Sequence, residues 1–262
     1  MNIYSIAFFR HPASAYESER AGEARGKFFI NYLQILFRAF QFNWSGWVLA
    51  LHYDYSVSEF PYFRKVAENT KRSGYPIILS CEGDAETLCG SMLWRMKALF
   101  YNSAEYVVCR DLDSLPTKRD FLMTQKFIES GKTAHIVHDS VSHSGMMGGT
   151  LGLHAPRFRE TMNMNSWNEF MKLASGFDMN VHGADQSMLN THVYPKVRDS
   201  LYLHELNQDT GMNAAIIDRT APSPQDELDR CCNGVGLAFH VEPAMAAYRR
   251  LVPDDPFRRF EI

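Results

Sequence analysis

The stretch Glu105-Tyr106-Val107-Val108-Cys109-Arg110-Asp111-Leu112-Asp113-Ser114 decides the fold. Tyr106, Val107 and Val108 form the apolar heart of a short strand, and a pair of carboxylates on alternate residues follows it at once. A short run that is apolar at every position predicts a strand buried on both faces, as in a parallel sheet covered by helices. Asp111 then stands just past the strand's carboxyl end, where open α/β sheets leave a crevice free for ligands.

The segments on either side keep the alternation going. Upstream, Ile3 to Phe9 reads as a first strand, and Phe28, Phe29, Tyr32, Leu33, Leu36, Phe37 and Phe40 recur at helical spacing. Trp47 to His52 predicts a second strand and Phe60 to Asn69 a helix. Tyr75 to Ser80 predicts a third strand with Ile77, Ile78 and Leu79 buried on both faces, and Thr87 to Tyr101 a helix. Downstream, a helix is expected over Lys118 to Ser130 and a strand over Ala134 to His138. A Gly-rich turn leads into a strand at Thr150 to Leu153, followed by helices at Phe158 to Ala174 and from Ala184 to about Pro195. After Asp199 the pattern weakens, and residues 205 to 233 read as irregular structure or a lid.

The expected fold class is therefore α/β, a mixed and mainly parallel central sheet flanked by helices. It is read as one domain over 1–262, divided at about residue 115 into two halves.

Bulk properties narrow the function. Of 262 residues, 45% are hydrophobic and 22% charged, the composition of a chain that folds around a core. Lys and Arg number 27 against 30 Asp and Glu, a net charge of −3 with no long basic run, which argues against nucleic acid as a partner. No apolar stretch approaches the ~20 residues that span a bilayer. The start, MNIYSIAFFRHP, lacks the basic region of a signal peptide, so a cytoplasmic location is expected. Cys81, Cys89, Cys109, Cys231 and Cys232 form no CxxC pair and read as reduced thiols.

Asp111 and Asp113 suit a hard divalent cation, Mg²⁺ or Mn²⁺, because both offer oxygen. A short D-x-D is common and often no more than a solvated loop. It also fits a phosphatase of the haloacid-dehalogenase type, although there the motif normally opens the fold, whereas here three strand-helix units precede it. A third reading is a carbohydrate-binding protein without turnover.

Larger strings favour a transferase. MLWRMKALF, YVVCRDLDSLPTKRD, HSGMMGGTLG and GADQSMLNTHVYP, spanning residues 92 to 195, resemble predicted glycosyltransferases of the GT-A fold from bacteria and large DNA viruses. Asp185-Gln186-Ser187-Met188-Leu189-Asn190 is similar to the D-Q-x-x-L-N segment of retaining enzymes in the glycogenin and lipopolysaccharide-galactosyltransferase group. The resemblance implies that a hexose moves from a nucleoside diphosphate sugar, with UDP the expected nucleotide, to a saccharide or related hydroxyl acceptor, as in polysaccharide biosynthesis. It implies Asp111 and Asp113 as metal ligands and Arg95 near the sugar nucleotide, and Asp185 and Gln186 as the catalytic pair around the donor sugar. Asp185 or Asp139 is the available base if the reaction inverts configuration.

Arg110 either contacts the donor or braces the acidic loop. His143 is a candidate hydrogen-bond donor to the sugar, and Gly148 and Gly149 let the backbone approach it closely. The related enzymes often recruit a histidine near the C-terminus as a further ligand. His240 is the candidate here, with His204 as substitute, although Glu242-Pro243 replaces the Gly and Lys that usually follow that histidine.

Overall fold

In the computed structural model, residues 1–9, 33, 36–72, 74, 76–206 and 209–222 are described. Their strands form one eight-stranded sheet in the order β3-β2-β1-β4-β6-β5-β7-β8. The strands are β1 (Ile3–Phe8), β2 (Val48–Tyr53), β3 (Ile77–Cys81), β4 (Tyr106–Arg110), β5 (Ala134–His138), β6 (Thr150–His154), β7 (Leu201–Glu205) and β8 (Ile216–Asp218). β6 runs antiparallel to both of its neighbours, and the remaining pairs are parallel. The carboxyl ends of β4, β5 and β7 therefore share an edge of the sheet with the beginning of β6.

Strand alternation splits the core in two. Val107 and Cys109 face a cluster with Leu93, Met96, Met146, Leu151 and Met188, while Tyr106 and Val108 face one with Tyr4, Trp44, Leu49 and Phe127. β4 is buried at every position, as its apolar run requires. Each fully enclosed Leu or Phe contributes about 1.5–3 kcal/mol relative to exposure.

The helix at Lys118–Ser130 lies where its local signals put it. Thr117 Oγ1 accepts from the Asp120 N–H at 3.0 Å, and Gly131 ends the helix in the left-handed region at φ 64°.

Five elements differ from the sequence expectation. β3 is the edge strand, so Ile77, Ile78 and Leu79 are half-buried rather than enclosed on both faces. Two expected helices are broken. Residues 88–92 are α-helical but Leu93–Phe100 is a 3-10 helix; Asn163 adopts φ 53° and separates Ala155–Met162 from Trp167–Met171. Beyond Asp199, β7 is a strand buried throughout that the sequence reading did not predict, and β8 extends the sheet to its far edge within residues 205–233, where irregular chain or a lid was expected. Of the first expected helix, residues 36–43 are helical, with Leu36, Phe37 and Phe40 buried; Phe28, Phe29 and Tyr32 lie outside the described residues.

Candidate active site

The site grows from the end of β4. Because side chains alternate along a strand, Arg110 and Asp111 leave the sheet on opposite faces. Asp111 turns to the face covered by the 3-10 helix, where Arg95 Nη1 donates to its carboxylate Oδ1. The second guanidinium nitrogen of Arg95, Nη2, stands 3.6 Å from Asp185 Oδ2 at the start of the helix Ala184–Met188. One buried cation thus joins two carboxylates brought from separate parts of the chain. Burial by itself would depress the Arg95 pKa, but Asp111 and Asp185 outweigh it and hold the guanidinium above its ordinary value. The Arg95 Nε is enclosed with no hydrogen-bond partner among the described residues.

The Gly-rich turn closes over this cluster. A Cβ on Gly148 would fall 2.7 Å from Arg95 Nη2, and one on Gly149 would fall 2.8 Å from Asp111 Oδ1, with the other carboxyl atoms nearer still. Neither glycine has a positive φ, so what demands glycine here is the close approach of backbone to the charged groups. Asp111 keeps 26% of its side-chain surface open to solvent while Arg95 and Asp185 keep 4% and 3%, which makes Asp111 the accessible end of the cluster.

Arg110 does not face this cleft. It is wholly buried, with Nε and Nη2 on the two oxygens of Asp120 at 3.0 and 2.7 Å and Nη1 on the carbonyls of Cys109 and Leu151. All of its donor directions are directed into the protein, so it braces the end of β4; the donor-contact alternative fails on that geometry. On the opposite face, burial between Arg95 and the strand drives the Cys109 thiol up to about 12, leaving it protonated and inert.

His143 is also buried. Its Nδ1 lies 3.3 Å from Asp139 Oδ1 and accepts from the Asp139 N–H at 3.3 Å, so ring and carboxyl are turned toward each other at the end of β5. Gln186 is half-buried beside Asp185.

His204 lies on β7 with Tyr202, on the sheet face that carries Arg110 and away from the face of Asp111. Its Nδ1 is 2.8 Å from His135 Nε2, and burial lowers its pKa to about 4. That position does not serve a cation held by Asp111, so His204 is not the substitute ligand that the sequence suggested. His240 falls outside the described residues, as do Cys231 and Cys232. Cys81, Cys89 and Cys109 are free thiols.

The donor set suits a hard cation in its chemistry. Asp111 and the half-buried Asp113 offer carboxylate oxygen, and Gly149 leaves room for the Asp111 carboxylate. Among the described residues there is no group of three His, Cys, Asp or Glu able to hold a metal. Sequence reasoning named each member of the Arg95, Asp111, Gly148, Gly149 and Asp185 cluster. It missed Asn190, which joins the helix to the Gly-rich turn and whose only sequence signal was its place in the D-Q-x-x-L-N segment.

No protein-family model and no curated protein matches the chain. Among solved structures it is similar to the glycosyltransferase GlyE of Streptococcus pneumoniae, at 12% identity and a TM-score of 0.50, over 78% of this chain and 45% of that one. It is also similar to a mannosyltransferase of Pyrobaculum calidifontis in complex with GDP-Man and Mn²⁺, at 12% identity and 0.45, over 79% and 57%. A third likeness is to 4-diphosphocytidyl-2C-methyl-D-erythritol synthase of Anaerococcus prevotii, at 11% identity and 0.44, over 95% and 97%. The chain spans about half the length of the two glycosyltransferases. No helix among the described residues is long and apolar enough to cross a membrane. At these identities the likeness speaks for the fold: a mixed, mainly parallel α/β sheet of the Rossmann-like kind found in GT-A glycosyltransferases.

Proposed function

We propose that the protein is a glycosyltransferase that uses a nucleoside diphosphate sugar, probed first as a UDP-sugar, and transfers a hexose to a saccharide or related hydroxyl acceptor. The observation that carries the reading is the convergence of Arg95, Asp111 and Asp185 beneath Gly148 and Gly149, at the carboxyl edge of the sheet. A sugar diphosphate needs positive charge against its phosphates; one guanidinium between two carboxylates leaves the cluster net negative, and a divalent cation on the partly open Asp111 would supply that charge.

Asp111 and Asp113 would hold Mn²⁺ or Mg²⁺. When bound, that ion supplies Lewis-acid stabilisation to the departing diphosphate. Arg95 fixes the Asp111 carboxylate and, from the same guanidinium, orients Asp185 toward the donor sugar. Gln186, one residue along the same helix, lies beside the sugar in this reading. Gly148 and Gly149 bring the backbone directly over Arg95 and Asp111, and in this reading the turn they form borders the sugar. Residues up to about 115 serve the nucleotide and the remainder the sugar and acceptor, with His240 as a further ligand to the ion.

Calorimetric titration of UDP and GDP with and without Mn²⁺ tests the reading, with an Asp111→Ala, Asp113→Ala double variant as control. The expected result is metal-dependent binding that the variant loses. Absence of nucleotide binding under every metal condition would remove the transferase reading.

A further inference from the structure

Two pieces of the candidate site come from distant parts of the chain, and a single side-chain amide ties them together. Asn190 Oδ1 accepts from the Met146 N–H at 2.9 Å, and Asn190 Nδ2 donates to the Met146 carbonyl at 3.0 Å. The amide thus reads both backbone groups of one residue, as a neighbouring strand would. The same Nδ2 lies 2.7 Å from the Gln186 carbonyl one turn earlier in its own helix.

We infer that Asn190 is a positioning residue, which clamps the Gly145–Gly149 turn to the helix of Asp185 and so sets the backbone of Gly149 against the Asp111 carboxylate. The inference rests on the transferase reading for its function, and on independent geometry for the clamp.

The surrounding chain is built to accommodate this amide. Gly145 has φ 63°, and a Cβ there would fall 2.8 Å from Asn190 Oδ1 and 3.2 Å from Nδ2, so both conformation and space call for glycine. Met146 is fully buried among Leu151, Met188 and Leu189, which anchors the turn on its side-chain side while Asn190 holds its backbone. From the other flank, the His138 ring nitrogen Nε2 lies 2.8 Å from the Gly145 carbonyl.

Asn190 itself sits in a π-helical turn, Leu189–Val193, between the α-helical Ala184–Met188 and Tyr194–Val197. Such turns cost helical regularity and recur at functional sites. Here the irregular turn carries the residue that reaches across to Met146. Three residues beyond Met146, Gly149 abuts Asp111, so movement of the turn is felt at the carboxylate.

The test uses the full chain, its Asn190→Leu variant, which keeps the size and removes every one of these hydrogen bonds, and Gly145→Ala, which attacks the clamp from the other side. Phe158→Leu, in the same core but on the helix that leaves the opposite edge of the sheet, provides a destabilised control. Three quantities are read: hydrogen exchange of the amides over residues 145–149, melting temperature, and affinity for UDP with Mn²⁺ well below the melting point.

A clamp predicts that both variants speed exchange of the turn by about tenfold or more and weaken UDP–Mn²⁺ binding by about tenfold, while Phe158→Leu at comparable melting temperature leaves the affinity unchanged. Unchanged exchange overturns the clamp. Faster exchange with affinity no lower than in Phe158→Leu overturns the positioning role and leaves Asn190 a structural residue. Should the parent bind neither UDP nor GDP with Mn²⁺, the transferase reading is what fails, and the exchange comparison still decides whether Asn190 holds the turn.

Discussion

Replacing Gly149 by alanine adds one methyl group at the point where the backbone passes the Asp111 carboxylate. The new Cβ would lie 2.8 Å from Oδ1, and closer than that to Oδ2 and the carboxyl carbon. Three atoms of one carboxyl group cannot be avoided by a rotation that leaves it in place, and Arg95 holds that group through a hydrogen bond to Oδ1. Gly149 has no positive φ, so the backbone accepts alanine and the effect is steric alone. Overpacking of this kind costs about 1–3 kcal/mol, taken either from stability or from the position of Asp111. A displacement that consumes about 1.4 kcal/mol at the ligand weakens binding tenfold. Calorimetry of UDP with Mn²⁺ and denaturation in urea, run on the same protein, are expected to show an affinity loss of about tenfold or more beside a stability loss below about 3 kcal/mol. Affinity and stability both equal to the parent would refute the claim that Gly149 makes room for Asp111.

Other outcomes follow from the same geometry. Asp120→Ala strands the fully buried Arg110 guanidinium and is expected to cost about 3–5 kcal/mol in urea denaturation, while an Arg110→Met, Asp120→Leu double variant recovers much of that loss. Thr117→Ala removes the cap on the helix Lys118–Ser130 and should lower stability by about 1 kcal/mol, with UDP–Mn²⁺ affinity unchanged. His204 is held neutral by burial, its pKa depressed from 6.5 to about 4, so the unfolded chain takes up a proton before the folded one does. Stability is therefore expected to fall by about 3 kcal/mol as pH drops from about 6.5 to about 4 and to level off below that for this group; a His204→Gln variant should show a shallower slope in denaturation measured across that range.

Much of the architecture was legible because its signals are local. β4, the helix Lys118–Ser130 and β5 stand where runs of apolar residues, a threonine cap and a glycine stop put them. Those cues depend on neighbours within a few residues, which a sequence displays in full. β7 and β8 escaped because Leu-Tyr-Leu-His-Glu and Ile-Ile-Asp are short and mixed in polarity. β7 is enclosed by its pairing with β5, nearly seventy residues away along the chain, and that pairing lets the sheet bury His204 and Glu205. The expectation of a fully enclosed β3 failed for the converse reason: its apolar residues are real, but its place at the sheet edge leaves them half open.

By itself the sequence determined the α/β class, the station of Asp111 and Asp113 past the end of a strand, and the identity of the residues gathered around them. Apolar periodicity and residue chemistry are properties of the chain before it folds. The partnerships belonged to the tertiary structure. Arg95 pairs with both Asp111 and Asp185, Arg110 turns away to Asp120, and Asn190 grips Met146. Each depends on which face of a strand or helix meets which neighbour across the fold, and burial then makes the choice binding, since an enclosed guanidinium or amide must find a partner or pay the cost of lost water.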